Sequence, residues 1–553
     1  MGSLKHEQKL CWRDTVGSGY QKHLIRPHHH PFNGMDIRHL LDHQARRFKE
    51  HPYLIWEPFE GESTVFSYQS FVDRVQRTAA GLYHRGIRCG DHVLVHLDNC
   101  PEAVIAWFAC AWLGAVAVTT NAKSSEDELR YFAEHSAAVA AITQPRFAEL
   151  VNKACKQLRW IAVTKTDQGA DAGIQTPSRE DCFDSIDAPI DQLPAREPDP
   201  LLRFSVQYTS GTTSRPKAVC WTHANALWGA RINALHEGLT HNDIQLVSLP
   251  LFHTNAQAYS MLASLWAGAS AVVMPRFSAS RFWPISLKHR CSFASLVQFC
   301  VRALAQHDRP THHHYRLWGS SVCAPPQDSY FGVQTVGWWG MTETITHGIT
   351  GVPGMPNTAL SIGRPAPEYE IRVLTEGREA RPGEIGELSI RGVRGLSLFS
   401  EYLHNPEATQ ASFDEEGYFL TGDLVRIGED GAYFFSDRSK DMLKVGGENV
   451  AASEIERVIM AVPGVIEVAV VARSDPMLDQ VPVACLRLAP NQDQRAVEAA
   501  VQDACARQLA SFKQPRSIKI FDDFPRSTLE KIAKVQLREM IAQEAQLSSS
   551  TKY

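Results

Sequence analysis

From about residue 35 to residue 220, apolar positions alternate between helical spacing and short β-branched runs. Residues 35–48 (MDIRHLLDHQARRF) place apolar side chains three and four positions apart, which predicts a helix, whereas residues 91–97 (DHVLVHL) predict a strand. A second helix at 126–135 (EDELRYFAEH) and a second strand at 138–143 (AVAAIT) repeat the alternation. Strands that alternate with helices in this way predict parallel or mixed sheets covered by helices.

The most apolar stretch is AVIAWFACAWLGAVAV, at residues 103–118. A membrane span needs about 20 apolar residues, and this stretch has 16 with Gly114 among them. It therefore predicts a buried helix at 101–113, a break at the glycine and a buried strand at 115–120. Residues 165–200 are polar and proline-rich, which predicts a surface connection.

The pattern changes in the last third of the chain. Short apolar runs at 368–374, 384–392, 417–427 and 431–438 are separated by Gly, Glu and Asp turns. Such runs are typical of strands joined by tight turns. They predict a small β-rich subdomain.

Beyond Arg438 the apolar spacing becomes helical at 453–462 and 496–509, with strand patterns at 465–473 and 481–489. A compact α+β module of about 110 residues fits this tail. We therefore predict an α/β protein with a large N-terminal domain of helix-covered β-sheets, which includes the β-rich subdomain, and a small C-terminal α+β domain. The predicted bounds are 1–34 for an N-terminal extension, 35–439 for the large domain and 440–553 for the small one.

Composition limits the class of protein. The formal net charge is −5, with 44% apolar and 21% charged residues, which excludes a disordered chain and a dedicated basic nucleic-acid binder. The 12 cysteines form no CxxC pair and the start MGSLKHEQKL has no apolar signal segment, so we expect free thiols in the cytoplasm. The triplets His28–His30 and His312–His314 lack the spacing that aims side chains at one metal ion, and we expect both in solvated loops.

Residues 208–217 read YTSGTTSRPK, a run of small and hydroxylated residues that ends in a lysine. Small residues leave backbone N–H groups open to approach, hydroxyls add donors and Lys217 adds positive charge, so the run suits a polyphosphate. The Walker A pattern is absent because Lys217 follows Pro216 and precedes Ala218. The predicted phosphate-binding residues are Thr209, Ser210, Gly211, Thr212, Thr213 and Lys217.

The phosphate-binding run is one of six motifs along the chain. In sequence order the motifs are LDNCPE (97–102), TSGTTSRPK (209–217), FHTNAQ (252–257), GMTETI (340–345), PNTALSIGR (356–364) and GGENV (446–450). They resemble the acyl-adenylate-forming superfamily of acyl- and aryl-CoA ligases, peptide-synthetase adenylation domains and firefly luciferase, and within it the carnitine/crotonobetaine–CoA ligases. The resemblance covers nearly the whole chain. It implies a ligase that uses ATP, Mg²⁺, CoA and a carboxylic acid. The composition and the short apolar stretch at 103–118 add the expectation of no nucleic-acid partner and no membrane span.

The residues of these motifs offer the chemistry that bound ATP requires. The aromatic face of Trp339 can stack on adenine, and Thr342 and Glu343 offer hard oxygens to Mg²⁺ on the phosphates. The Asp423 carboxylate can accept hydrogen bonds from both ribose hydroxyls. By resemblance, Arg438 contacts the ribose or the phosphates.

The resemblance also implies a C-terminal domain that moves between two steps. Lys440 falls at the hinge, and Lys444 corresponds to a lysine associated with thioester formation. Gly446 and Gly447 would let the backbone approach the narrow pantetheine arm of CoA.

A terminal motif, PRSTLEKI at 525–532, supplies the lysine of the first step. By resemblance, Lys531 bridges the carboxylate and the α-phosphate during adenylation. The superfamily usually has glycine before this lysine, whereas here the residue is Glu530, and Lys534 is a nearby competitor.

The acid site is predicted from resemblance and side-chain volume. His253 matches an aromatic position beside the acyl group, and the run 321–325 (SVCAP) is bulkier than the Ser-Gly-Gly-Ala-Pro loop of many relatives. Trp338 stands where glycine often does. We therefore predict contacts from His253, Val322, Cys323 and Trp338 to a small or compact acid, since added volume narrows a pocket. A quaternary-ammonium acid would suit an aromatic box that includes Trp338.

Two alternatives stay open at this point. The acceptor thiol could belong to a carrier-protein phosphopantetheine, because that arm is the same as the arm of CoA. A non-catalytic ATP/AMP-binding sensor is a different class, and retention of Lys217, Glu343, Asp423, Arg438 and Lys531 argues against it. Acid-dependent ATP–pyrophosphate exchange separates an enzyme from a sensor.

Overall fold

The computed structural model describes residues 30–167, 170–171, 180–209, 216–438, 441–445, 448–475, 478–509, 511–526 and 532–550. The predicted fold class is confirmed: helices cover two large sheets, a small antiparallel sheet follows them, and an α+β unit forms the C-terminal part. The α-helices are Ile37–Phe48, Tyr68–His84, Pro101–Leu113, Glu126–His135, Pro145–Ala154, His223–His236, Ala263–Ala267, Ala279–His289, Gln298–Leu304, Gln327–Phe331, Pro406–Ala411, Ala452–Met460, Gln494–Gln508 and Lys534–Ser550.

Two mixed sheets form the body of the large domain. Within the described ranges, one has nine strands in the spatial order Arg364–Pro365, Ile349–Thr350, Gln334–Trp339, Leu317–Ser320, Phe293–Ser295, Ile244–Val247, Ser270–Val273, Pro52–Trp56 and Thr64–Ser67. The other has, in the same part of the chain, eight strands in the order Glu401–Tyr402, Lys217–Thr222, Arg203–Thr209, Val116–Thr119, His92–His96, Ala140–Thr143, Trp160–Val163 and Glu180–Cys182.

The smaller sheets lie later in the chain. The antiparallel sheet consists of Arg378–Glu379, Glu370–Thr375, Ile385–Arg391, Phe419–Ile427 and Tyr433–Arg438. The C-terminal sheet consists of Glu448–Ala451, Met442–Val445, Asp479–Leu488, Val465–Asp475 and Ser517–Ile520. A short hairpin pairs Thr166–Asp167 with Ala170–Asp171.

The apolar stretch at 103–118 folds as predicted. Pro101–Leu113 is a helix that begins on its proline and is buried on all sides, which explains why it has no polar face. Gly114 ends it with a φ of 83°, a left-handed conformation that glycine adopts without strain, and Val116–Thr119 follows as a central strand. No helix in the part of the chain described combines the length and apolarity that a bilayer span requires.

Two expectations of surface segments are partly wrong. Within 165–200, Glu180–Cys182 pairs in parallel with Trp160–Val163 at the edge of a main sheet, and Phe183 and Ile186 are fully buried. Because the segment is polar on average, its composition does not reveal these two buried apolar residues.

The solvated-loop expectation for the histidine triplets holds for His312 and His314, which are exposed. It fails for His30, which is buried, and for His313, which stacks on Trp283 with ring centroids 5.5 Å apart. His28 and His29 lie outside the described residues.

The hydrophobic core is divided along the chain. Two clusters draw their residues from 32–425 and 94–403, and two others from 443–509 and 469–541. In the described ranges, none of these clusters combines residues from both groups. This division fits the predicted two-domain organisation, and the boundary at 439–440, which lies outside the described residues, stays a prediction.

Candidate active site

Trp339 and Asp423, predicted to hold adenine and ribose, are in direct contact. Trp339 ends the strand Gln334–Trp339 of the nine-stranded sheet, and Asp423 lies in the strand Phe419–Ile427 of the antiparallel sheet. The indole Nε1 donates a hydrogen bond of 2.8 Å to Asp423 Oδ2, and both side chains are buried. The backbone of Arg438 pairs with Asp423 across the neighbouring strand. Topology therefore brings three predicted nucleotide-binding positions together.

A lysine, a tyrosine and a glutamate make a second set of contacts. Lys217 begins a strand that pairs antiparallel with the two-residue strand Glu401–Tyr402. The lysine Nζ lies 4.5 Å from the centroid of the Tyr402 ring. The Tyr402 hydroxyl donates a hydrogen bond of 2.9 Å to Glu343 Oε1. Tyr402 thus links the residue predicted for the phosphates to the residue predicted for the metal.

The protonation state of Tyr402 suits its role as a donor. Burial raises the pKa of this phenol, and the nearby charge of Glu343 raises it further. The phenol therefore keeps its proton throughout the physiological pH range. Glu343 is itself buried, with 5% of its surface exposed, and a buried carboxylate needs such a donor to offset lost hydration.

Thr342 is held through both its backbone and its side chain. Trp221 Nε1 donates to the Thr342 carbonyl oxygen at 2.8 Å. The Thr342 hydroxyl lies 3.1 Å from Thr254 Oγ1, which also lies 2.9 Å from Gln207 Oε1. Gln207 Nε2 in turn donates to Gln257 Oε1. A polar network therefore connects the strand Arg203–Thr209 to the segments that carry Thr254 and Thr342.

These network residues were not among the sequence-predicted site residues, and neither was Tyr402. Tyr402 belongs to a strand of only two residues, too short for any hydrophobic periodicity to appear. Gln207 and Thr254 are polar residues that look like ordinary strand and loop positions. The motif FHTNAQ contains Thr254 and Gln257 and was the one sequence signal that pointed to these two residues. It could not show what their side chains contact.

The predicted acid-site residues lie on three segments. His253 is half-buried, lies two residues before the π-helical segment Asn255–Leu262 and packs against Phe252, with ring centroids 4.2 Å apart. Trp338 is buried and stacks on His347, with centroids 4.2 Å apart and planes 16° from parallel.

The loop 321–325 is tied to its neighbours by its backbone. Cys323 N donates to Ser361 O at 2.7 Å, and Leu360 N donates to Cys323 O at 2.8 Å. The Cys323 Sγ accepts a hydrogen bond from Gly337 N at 3.1 Å and is fully buried, whereas Val322 is half-buried. Val322 and Cys323 therefore lie beside the strand that carries Trp338.

Several predicted residues lie outside the described ranges. The described structure includes the backbone but not the side chains of Arg438 and Lys444. Lys444 lies in the strand Met442–Val445, which forms a hairpin with Glu448–Ala451. The predicted residues outside the described ranges are Ser210, Gly211, Thr212, Thr213, Lys440, Gly446, Gly447 and Lys531.

The oxygen atoms near Glu343 fit Mg²⁺. Among the residues that the structure describes, no three His, Cys, Asp or Glu side chains are grouped as a metal cage. Mg²⁺ usually binds through one or two protein oxygens together with substrate phosphates and water. One buried carboxylate at Glu343 and the hydroxyl of Thr342 match that pattern.

Comparisons with known proteins give a consistent result. The family described as AMP-binding enzyme matches residues 41–403, and the AMP-binding enzyme C-terminal domain matches residues 454–531. A crotonobetaine/carnitine–CoA ligase of Salmonella typhi is 33% identical over 518 residues, which cover 91% of this chain and 99% of the relative.

Solved structures agree with this assignment. O-succinylbenzoate coenzyme A synthetase from Bacillus subtilis, in complex with ATP and magnesium ion, is 26% identical with a TM-score of 0.77, over 90% of this chain and 98% of that one. The anthranilate CoA ligase AuaEII, in complex with anthranoyl-AMP, shares the fold with a TM-score of 0.83 at 24% identity, over 95% of this chain and 100% of that one.

The family matches and the site geometry point the same way. Positions predicted for the nucleotide and for the metal make side-chain contacts with residues far away in the sequence, and a relative 33% identical covers 91% of the chain. The reaction requires ATP, Mg²⁺ and CoA. The chain belongs to the AMP-binding enzyme family and is an ATP-dependent acyl-CoA ligase of the acyl-adenylate-forming superfamily, alongside the crotonobetaine/carnitine–CoA ligases.

Proposed function

We propose that this ligase activates a small or compact carboxylic acid as an acyl-AMP and passes the acyl group to the thiol of CoA. The observation that carries the acid size is the position of Trp338. Its ring fills the space above Gly319, where an added Cβ would lie 1.5 Å from the ring atom Cη2. A wall built in this way leaves little room for a long acyl chain. The Salmonella relatives, named for crotonobetaine and carnitine, support an acid of that size.

The first half-reaction depends on positioned charge. A carboxylate oxygen attacks the α-phosphorus of ATP and pyrophosphate leaves, so negative charge spreads over the phosphoryl oxygens. Trp339 would hold adenine and Asp423 the ribose, while Lys217 and the run 209–213 would meet the phosphates. Thr342 and Glu343 would hold Mg²⁺, which supplies positive charge there.

In the second half-reaction, one set of residues of the C-terminal domain leaves the active site and another set enters it. We propose that it rotates about Lys440, which withdraws Lys531 and brings Lys444 with Gly446 and Gly447 to the site. The thiol then attacks the mixed anhydride and AMP leaves. Two conformations are needed because pyrophosphate must leave before the thiol can enter.

We also propose that the enzyme acts in the cytoplasm with free CoA. All eleven cysteines in the described ranges are free thiols, which suits a reducing compartment. Free CoA is favoured over a carrier-protein arm because the Salmonella relative is named a CoA ligase.

The test of this function is acid-dependent ATP–pyrophosphate exchange with unbranched acids of two to sixteen carbons and with carnitine and crotonobetaine. We expect exchange with short acids, little with palmitate, and thioester formation when CoA is added. Preference for palmitate would refute the compact pocket, and no exchange with any acid would favour a sensor. An acyl-AMP that transfers to a holo-carrier protein and not to CoA would favour the carrier-protein alternative.

Trp338→Ala is expected to shift the preference of the enzyme towards longer acids. Removing the indole opens volume at the wall, and each methylene that then fits is worth about tenfold or more in kcat/KM. The measurement is the ratio of kcat/KM for hexanoate to that for butyrate. Trp266→Ala, at a half-buried tryptophan beyond the π-helical segment, is the matched control and should leave this ratio unchanged. An unchanged ratio in Trp338→Ala would remove this residue from the acid site.

Tyr402→Phe is expected to lower the rate of adenylate formation about tenfold and to raise the Mg²⁺ concentration needed for half-maximal activity. The substitution keeps the ring beneath Lys217 and removes only the hydrogen bond to Glu343, and a hydrogen bond to a charged group contributes about 1.5–3 kcal/mol. Steady-state rates across a Mg²⁺ titration measure both effects. Tyr330→Phe, at an exposed tyrosine, is the control. A Mg²⁺ dependence identical to that of the wild type would contradict the role of Tyr402.

A further inference from the structure

The imidazole of His347 is fully buried and, among the residues that the structure describes, neither Nδ1 nor Nε2 has a hydrogen-bond partner. A neutral imidazole carries one N–H donor and one acceptor nitrogen. Leaving both unused in a protein interior is unfavourable, and buried polar groups are almost always paired. A polar group from outside the chain, bound at the edge of this ring, would give both nitrogens a partner.

Neighbouring rings hold His347 in one orientation. Trp338 stacks on one face, with centroids 4.2 Å apart. Tyr259, from the segment Asn255–Leu262, has its ring centroid 4.2 Å from that of His347, and the His236 centroid is 5.7 Å away. Because these rings cover the faces of the imidazole, only the edge that carries its nitrogens is available for hydrogen bonding.

His347 also lies close to the turn that carries the metal-binding residues. The next residue, Gly348, donates its N–H to the Trp339 carbonyl oxygen at 2.9 Å. A Cβ added at Gly340, on the other side of Trp339, would lie 2.5 Å from the Tyr259 hydroxyl. The ring cluster therefore packs directly against the segment that leads from the adenine position to Thr342.

The charge state of His347 limits what it can recognise. Burial holds the pKa of His347 well below its usual value, and the neighbouring His236 adds to the effect. His236 is itself engaged through Nε2 with Glu368 Oε2 at 3.1 Å. The His347 ring is therefore neutral near pH 7. One donor and one acceptor match an uncharged hydroxyl or carbonyl group better than an ion.

We propose that His347 is a specificity-determining residue that hydrogen bonds an uncharged polar substituent of the acid, such as a hydroxyl a few bonds from the carboxyl group. The inference rests on the proposed function, because it takes Trp338 as a wall of the acid site. It narrows the substrate class to short acids that carry such a substituent. A site built to hydrogen bond a hydroxyl rejects the analogue that lacks it, since its own polar groups are then left unpaired.

The experiment compares kcat/KM in acid-dependent ATP–pyrophosphate exchange for matched pairs of acids. The pairs are 3-hydroxybutyrate with butyrate, 4-hydroxybutyrate with butyrate, and carnitine with γ-butyrobetaine. For the wild type we expect a preference of at least about tenfold for the hydroxylated member of one pair. His347→Phe keeps the stacking on Trp338 but has no nitrogen, and should reduce that preference to about onefold with KM for ATP unchanged. His347→Gln keeps a donor and an acceptor and should retain part of the preference.

The control is His313→Phe, at a second imidazole that stacks on a tryptophan, Trp283, away from the site. It reports general losses from replacing a stacked histidine and should leave the hydroxyl preference intact. A wild type that activates short acids without hydroxyl preference, or a preference that survives in His347→Phe, overturns the inference while the proposed function stands. A wild type that activates no short acid overturns both.

Discussion

Replacing Glu343 with glutamine is expected to lower the rate of adenylate formation by about 10²–10³-fold, with little change in overall stability. The amide keeps the size of the side chain and can still accept the hydrogen bond from Tyr402. It removes the negative charge that would hold Mg²⁺ against the phosphates, and losing one preorganised electrostatic contact commonly costs this much. Acid-dependent ATP–pyrophosphate exchange measures the rate, and thermal unfolding measures stability.

The matched control is Glu407→Gln, an exposed glutamate in the helix Pro406–Ala411, only a few residues beyond Tyr402. It makes the same change of charge at an exposed position and leaves the proposed metal position unchanged. Near wild-type exchange in Glu343→Gln at limiting Mg²⁺ would contradict the assignment of this carboxylate to the metal.

Lys531→Ala is expected to separate the two half-reactions. If Lys531 bridges the carboxylate and the α-phosphate, its loss should slow adenylation by about 10²-fold or more. Thioester formation from a supplied acyl-AMP should stay within about threefold of the wild-type rate, because the proposed domain rotation would withdraw the lysine before that step. Exchange kinetics and CoA-thioester formation from synthetic acyl-AMP measure the two steps independently.

Lys534 provides the control for this prediction, because it was the competing candidate for the role. Its Nζ pairs with Glu456 Oε1 at 2.8 Å, which gives it a structural partner within the C-terminal unit. Lys534→Gln should therefore leave adenylation within about threefold of the wild type. If Lys534→Gln blocks adenylation and Lys531→Ala does not, the two assignments must be exchanged.

Local features of this fold follow closely from the sequence. The segment EDELRYFAEH is the helix Glu126–His135, and it begins with a capping box in which Ser125 and Glu128 bond each other's backbone N–H groups. The break at Gly114 is equally local, since one residue supplies the left-handed conformation that ends a helix. Caps, periodicity and glycine breaks act over a few residues, so a short window of sequence contains their cause.

The expectations that proved wrong concern features whose cause lies far away in the sequence. The strand Glu180–Cys182 exists because it completes the edge of a sheet built by residues before it, and its own composition gives little sign of a strand. His313 is half-buried because Trp283, thirty positions earlier, offers a ring to stack on. Partners that are distant in sequence decide such positions.

By itself, the sequence determined the types of chemistry available: a phosphate run with Lys217, an aromatic residue before a Thr-Glu pair, and carboxylates and lysines in motif order. Only the tertiary structure decided which of these groups meet. Trp339 donates a hydrogen bond to Asp423, 84 positions later in the chain. Glu343 accepts a hydrogen bond from Tyr402, which lies 59 positions later and which no motif had indicated. Motifs record what one short segment must contain, whereas side-chain partners depend on how sheets pack, and packing is set by the whole chain.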